Sequence, residues 1–512
     1  RQTVEGNYRL GGPLWNKLLG WWKLSKTALS PGVHMNNVMA NLVMADWHGV
    51  QPPHVAKALR VLLAASEQDG KGALGKVGRA AEKLGGIKDT AAAREILVRY
   101  RDSGGDVGMW ATNELARDQM KPLLDELEAE LQKGAGDGEA QVGVLSALQL
   151  ALQRKFPEAF QAMKGSRATK AVGNEAQKLI DLYQAEDEVF RLAAWLRAKE
   201  EGRSDMEAGD AARTSFLDYQ INAPWIQAMR STALPFISFT YRGLPMLLET
   251  AGKKPHKLMK LMLLAGMVNA LGGAIAGGDD DDEVRALLPD EKAGRIWGMV
   301  PKLIRMPWND QYDNPVFLDI RRWVPMGDIA DVGQGHAAFG IPPSLMPSGP
   351  LAILGELWAN KSQFTGKEIT LETDSAGEKT VKVLAHLYRS AMPNLLGLPG
   401  TYATQGVVDA AKGKTDAFGR ERSIGQALAS SVGLKASGYA VDELRRNAAF
   451  DMRAKLEEIG KQLSSAARQE QRNGITAEEL DDIRERQKKK IADLLDEYRS
   501  KTGGEAASAP AR

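Results

Sequence analysis

Between Leu444 and Tyr498 apolar residues return at steps of three and four, a spacing that a helix gathers onto one face and no strand can. Leu444, Ala448, Met452, Leu456, Ile459 and Leu463 form the first stripe. Asn473 and Gly474 interrupt it. Thr476 and Glu479 then spell T-x-x-E, a capping box that satisfies the free backbone N–H groups of a helix start. A second stripe follows through Leu480, Ile483, Gln487, Ile491, Leu494 and Tyr498. Two amphipathic helices joined by a short polar turn predict an antiparallel hairpin over 441–502, its stripes facing each other or a neighbouring subunit. The basic run Lys488, Lys489, Lys490 sits on the opposite, solvated face.

The same period recurs upstream. Val172, Ala176, Leu179, Tyr183, Phe190, Ala193 and Leu196 predict one long helix ending near Gly202. Ser204 and Glu207 form another capping box, opening a helix toward Asn222. Two places look extended: 302–306 with 316–319, and 369–371 with 381–383 across 374–377. The expected fold class is therefore mainly α, an extended multi-helix assembly with one or two small β-hairpins and a C-terminal helical hairpin. Composition divides it into an amphipathic helical region (1–65), a variable helical insertion with the weak stripe Leu123, Leu127, Leu131 (66–166), a long-helix core (167–288), a mixed region with small hairpins (289–440), the hairpin (441–502) and a frayed tail (503–512). The chain begins at Arg1 with no signal-type h-region behind it, the pattern expected of a piece of a longer or processed protein.

Chemistry-bearing patterns fail on context. No cysteine occurs, which excludes disulfides, thiolate metal sites and a thiol nucleophile. Gly70, Gly72 and Gly75 match the dinucleotide-binding glycine pattern, yet 55–65 before them is helical rather than a strand. Gly413, Lys414 and Thr415 echo a phosphate loop whose first glycine is replaced by Val408. His34, His48, His54, His256, His336 and His386 make no metal-binding pair; Asp46, His48 and His54 are neighbours, but Pro52 and Pro53 break the helix between them. Asp279, Asp280, Asp281, Asp282 and Glu283 lack the spacing of a calcium loop and suit the start of a helix over 284–288. A formal charge of +2 on 512 residues offers no basic surface for DNA. No catalytic, cofactor-binding or metal residue is assigned, and no enzyme activity is expected of this segment.

One segment departs from ordinary soluble composition. Residues 261–278 run 18 positions without a charge, with Asn269 the one strongly polar side chain, and Leu261, Leu263, Leu264, Met267, Val268, Leu271 and Ile275 its apolar bulk. Lys253, Lys254, Lys257 and Lys260 precede it and the acidic run follows. Such a run is at the lower limit for spanning a bilayer with its N-terminal flank on the cytoplasmic side, and it suits a buried core helix or a subunit interface of a large helical assembly better. Trp15, Trp21 and Trp22 beside Leu14, Leu18 and Leu19 form a second amphipathic stretch, suited to a membrane interface or a protein anchor.

Four strings carry a family likeness: 25–44 (SKTALSPGVHMNNVMANLVM), 183–202 (YQAEDEVFRLAAWLRAKEEG), 233–260 (ALPFISFTYRGLPMLLETAGKKPHKLMK) and 349–369, ending in NKSQFTGKEI. In that order they resemble a region near the C-terminus of the large polyvalent proteins of phages and mobile elements and of the internal virion, or ejection, proteins of short-tailed phages. The resemblance implies a homo-oligomer packed inside the capsid near the portal, core and other ejection proteins, close to phage DNA. It then implies delivery to the host envelope and inner membrane to help form a conduit for the genome. It equally allows a non-catalytic scaffold region of a larger delivered transglycosylase or virion polymerase. It implies no catalytic residue and no cofactor.

Overall fold

The computed structural model describes residues 13–66, 90–109, 168–288, 294–327, 348–362, 368–371, 374–396, 401–414, 422–471 and 476–502. The glycine pattern at Gly70 to Gly75, the stripe at Leu123 to Leu131, His336, Thr415 and the tail 503–512 lie outside them. The fold is mainly α, with sixteen helices and five short strands among the described residues. The chain divides into two compact units, each assembled from segments distant in sequence.

Unit 1 comprises Arg1–Met262, Ile320–Val408 and Ala427–Lys435. Its first helices are α1 (Pro13–Lys26), α2 (Pro31–Trp47), α3 (Pro52–Ser66) and α4 (Thr90–Asp102). Prolines open three of the four, where a missing N–H costs nothing. The axis of the unit is α5 (Ala168–Glu200), 33 residues long, against which α2, α3, α4 and α6 (Asp205–Ser215) all pack. Because neighbours surround it, the stretch from Phe190 to Leu196 is buried on every side rather than along one stripe. Arg191, wholly buried within it, pairs with Asp187 at 3.1 Å and donates to the carbonyls of Gly108, Phe216 and Leu217. Those last two carbonyls explain why α6 stops at Ser215 instead of continuing toward Asn222: they turn inward to the guanidinium, and Leu217 takes a left-handed φ of 52°. The Ser204–Glu207 capping box is present in full.

Helices α7 (Pro224–Arg230) and α8 (Ile237–Lys253) lead into α9 (Pro255–Ala276), within which the division between the units falls. The tryptophans of α1 are internal anchors of unit 1. Trp15 Nε1 donates to Ser231 O at 2.8 Å, Trp21 Nε1 to Ala391 O at 3.1 Å, and Trp22 lies 5.5 Å from the Phe236 ring. The indole N–H groups of Trp15 and Trp21 are thereby satisfied inside the fold.

Unit 2 comprises Leu263–Asp319, Asp409–Gln426 and Ala436–Arg512. After α10 (Asp279–Leu287) come the small ribbon β1 (Arg295–Ile296) with β2 (Val300–Pro301), then β3 (Leu303–Asn309) and β4 (Pro315–Asp319), antiparallel as the sequence predicts. The second expected hairpin does not exist. Residues 381–383 lie inside α12 (Ala376–Ala391), which follows α11 (Pro350–Trp358) in unit 1. Ser375 and Glu378 form a capping box there, and the helix start it fixes overrides the β preference of two valines. Short helices α13 (Tyr402–Ala411) and α14 (Ile424–Ser431) precede β5 (Ala436–Gly438), which pairs with β4 more than a hundred residues away and completes the order β3-β4-β5. The chain closes with α15 (Val441–Gln471) and α16 (Ala477–Thr502), which pack on each other and on α10. The core of unit 2 is Val284, Leu288, Leu303, Phe317 and Tyr439, with Leu444 against it.

Candidate functional site

The 18-residue uncharged run is helix α9, the one described helix long and apolar enough to cross a membrane. It is not a core helix of this chain: 17% of its apolar window is buried. From Leu258 onward the covered residues are Leu258, Ala265 and Gly272, with Leu261, Met262, Asn269, Gly273 and Ala276 partly covered, one stripe along the helix. From Leu263 onward everything bulky points the other way. Leu263, Leu264, Met267, Val268, Leu271 and Ile275 are each about half to two-thirds exposed, 66% at Met267 and 61% at Ile275. At 100° per residue these six span an arc of about 140°, two-fifths of the circumference. From Leu263 to Ala276 the helix is thus inverted relative to a water-facing one, with its amide and small residues toward protein and its large apolar side chains outward.

The inward stripe explains the inversion. Asn269 Oδ1 accepts from the backbone N–H of Arg305 at 2.9 Å and from Arg285 Nη2 at 2.7 Å. Gly272 lets the helix touch the strand, since a Cβ there would run into the Arg305 carbonyl. Arg305, 1% exposed, ties the rest together. Its Nε donates to Asp281 at 2.9 and 3.0 Å, its Nη1 to the carbonyls of Met306 and Trp308, and its Nη2 to Ala276 O and Asn309 Oδ1. The guanidinium lies over Phe317, as does that of Arg285. Burial lowers the Arg285 pKa, opposed by Asp281 and Asp282.

The flanking charges are also accounted for. Lys257 and Lys260 both reach Asp46, at 3.2 and 2.7 Å. Burial would raise the Asp46 carboxyl, but hydrogen bonds from Lys260 and Lys257 outweigh it and hold the pKa below the usual carboxylate value. Lys253 pairs with Glu249, and Lys254 donates to Trp47 O. The acidic run starts α10 directly at Asp279, so these carboxylates occupy the helix's first turn rather than preceding it. Two of them do more than complement the dipole: Asp281 holds Arg305 and Glu283 holds Arg445.

Trp308 near the far end of β3 and Tyr312 on the β3–β4 turn are about half exposed, and Asp310 closes the turn by accepting from the N–H groups of Tyr312 and Asn314. In the C-terminal hairpin, Ile459 and Leu480 are buried, while Leu444, Met452, Leu456, Leu463, Ile483, Ile491, Leu494 and Tyr498 are half-buried. Gln487 Nε2 donates to Gln462 Oε1 at 3.0 Å across the pair.

Four of the described histidines have partners within the fold. His48 bonds Met44 O, His54 and His386 pair with Glu200 and Glu356, and His34 is held between Glu186 and Ala28 O. Among the described residues no three potential metal ligands cluster. A cavity bounded by Asn41, Met44, Tyr183, Asp187 and Phe216 measures about 40 Å³, room for water but not for a substrate. The chain matches no family model, no curated protein and no solved structure.

Proposed function

We propose that this chain is a non-catalytic structural component of a genome-delivery apparatus, of the kind formed by the internal virion proteins of short-tailed phages. It is packed as a homo-oligomer inside the capsid beside portal and core proteins, close to the genome. It is then delivered to the host envelope, where it engages the inner membrane and contributes to the conduit.

The observation that carries this reading is the outward apolar face of α9, a surface that water disfavours and that a delivered, membrane-engaging protein requires. The four family-like strings support the phage context, and the absence of cysteine suits a chain moving between reducing and oxidising surroundings. Its test is the composition of purified virions of the encoding phage. The chain is expected at several copies per intact particle and depleted from particles that have emptied their DNA. Presence at equal amounts in both, or absence from both, rejects the ejection role.

A further inference from the structure

We propose that α9 meets a lipid bilayer lying flat in its interface rather than crossing it, with unit 2 folded as seen and Trp308 and Tyr312 seated at the headgroup level. This rests on the membrane engagement proposed above and specifies its geometry.

Three observations lead there. The first is the width of the exposed apolar arc: Leu263, Leu264, Met267, Val268, Leu271 and Ile275 span about 140° of the helix, wider than the a/d seam that a second helix would fill. A continuous apolar phase fits it better than one more copy of the chain. The second is the exposed aromatic pair. The strand that grips α9 at Arg305 carries Trp308 three residues further on, and Tyr312 follows on the turn. An indole and a phenol with polar tips and apolar rings are the side chains that settle at a membrane–water boundary.

The third is the covered stripe. Asn269, Gly272 and Ala276 are fastened to β3, and Arg305, Asp281 and Arg285 lie directly behind them. A helix crossing the bilayer with its sheet attached would carry two guanidinium groups and a carboxylate into hydrocarbon. A helix crossing without it would strand Asn269 in lipid and leave Arg305 without its α9 partners. Lying flat requires neither, because the outer face enters the boundary between headgroups and acyl chains while the polar network stays on the protein side.

The natural absence of cysteine makes the test direct, since each introduced thiol is the sole label site. Leu263→Cys, Met267→Cys and Ile275→Cys variants of the full chain, with Ala286→Cys on the exposed side of α10 as reference, are labelled with an environment-sensitive dye. They are then mixed with vesicles of equal parts phosphatidylcholine and phosphatidylglycerol. Flat binding predicts a blue shift at all three α9 positions, none at the reference, and equal quenching at the three by a nitroxide near the lipid headgroups. Vesicles also shift the total tryptophan emission to the blue, and Trp308→Phe removes part of that shift. Met267→Asp with Leu271→Asp, both at exposed positions, lowers vesicle partitioning by roughly tenfold or more while the circular dichroism spectrum is unchanged. Deep burial at Met267 with shallow, opposite-leaflet quenching at Leu263 and Ile275 would show a spanning helix, overturning the flat geometry but keeping membrane engagement. No spectral change with vesicles, or a change that follows protein concentration without them, overturns both the geometry and the membrane contact.

Discussion

His34 shows how a single buried group sets a condition on the fold. Its Nδ1 lies 2.8 Å from Glu186 Oε1 and its Nε2 2.8 Å from Ala28 O, and both partners accept, so both ring nitrogens donate and the imidazole carries its proton. Burial alone would lower its pKa, but the Glu186 hydrogen bond and charge, with the Ala28 carbonyl, raise it above the ordinary 6.5. A folded-state pKa raised above the unfolded one contributes stability that is complete below about 6.5 and is lost as pH rises through the folded value. The wild-type melting temperature is therefore expected to fall from pH 6.5 upward through that raised value, and His34→Gln to flatten this dependence. Replacing His34 by Ala leaves Glu186 buried without its partner and should cost about 3 kcal/mol in denaturant unfolding. Parallel pH profiles of wild type and His34→Gln would remove His34 as the source. None of this was legible in sequence, because the pair joins residues 152 positions apart.

At the scale of elements, the period of three and four located the helices well where one face is wet and one is dry, as in α15 and α16. It was less informative for α5, whose central turns are buried all round, and for α9, whose apolar residues lie on every side. What distinguished the faces of α9 was the set Ala265, Asn269, Gly272 and Ala276, small or polar residues at helical spacing, a signal carried by what is missing from a face rather than by what occupies it. Arg305, Asp281 and Arg285 escaped sequence reasoning because a charged residue in a short strand or at a helix start gives no sign that it will be buried. The misplaced hairpin at 369–383 had a visible remedy in Ser375 and Glu378, the same capping signature that fixed α6 and α16. Magnitudes favour leaving the α9 clasp closed: each charged group brought to a bilayer centre costs about 2.5–3.5 kcal/mol. The C-terminal pair supplies its own check. Leu456→Asp with Leu494→Asp places charges on the half-buried stripes of α15 and α16 and is expected to reduce helicity by circular dichroism or dissociate the homo-oligomer proposed above; an unchanged spectrum and unchanged size would mean the stripes hold nothing together.

Across the whole molecule, helices form from neighbours in sequence while both units are closed by distant segments. Unit 2 depends on β5, which pairs Val316 with Gly438 and Phe317 with Ser437, and on α15 and α16 packed over α10. Local helix can therefore form quickly, but completing the sheet must await a loop closure of more than a hundred residues. Composition and periodicity reveal the helices and not this closure, since a three-residue strand reading Ala-Ser-Gly has no sequence signature. Truncation after Lys435 separates the units experimentally, because it keeps every segment of unit 1 and removes β5, α15 and α16 from unit 2. Phe317, wholly buried, would lose Tyr439 from its side and β4 would lose the partner of its second edge. The expected outcome under limited trypsin digestion is rapid cleavage at Arg305, which is 1% exposed in the intact fold, while Arg191 in the core of unit 1 stays protected. Exposing a group held by that many hydrogen bonds requires the sheet to open, so the cut reports the loss of unit 2 and not local fraying. Continued resistance at Arg305 would show that β3, β4 and the docked half of α9 hold together without the C-terminal segments, and that the clasp on α9 is independent of the sheet's third strand.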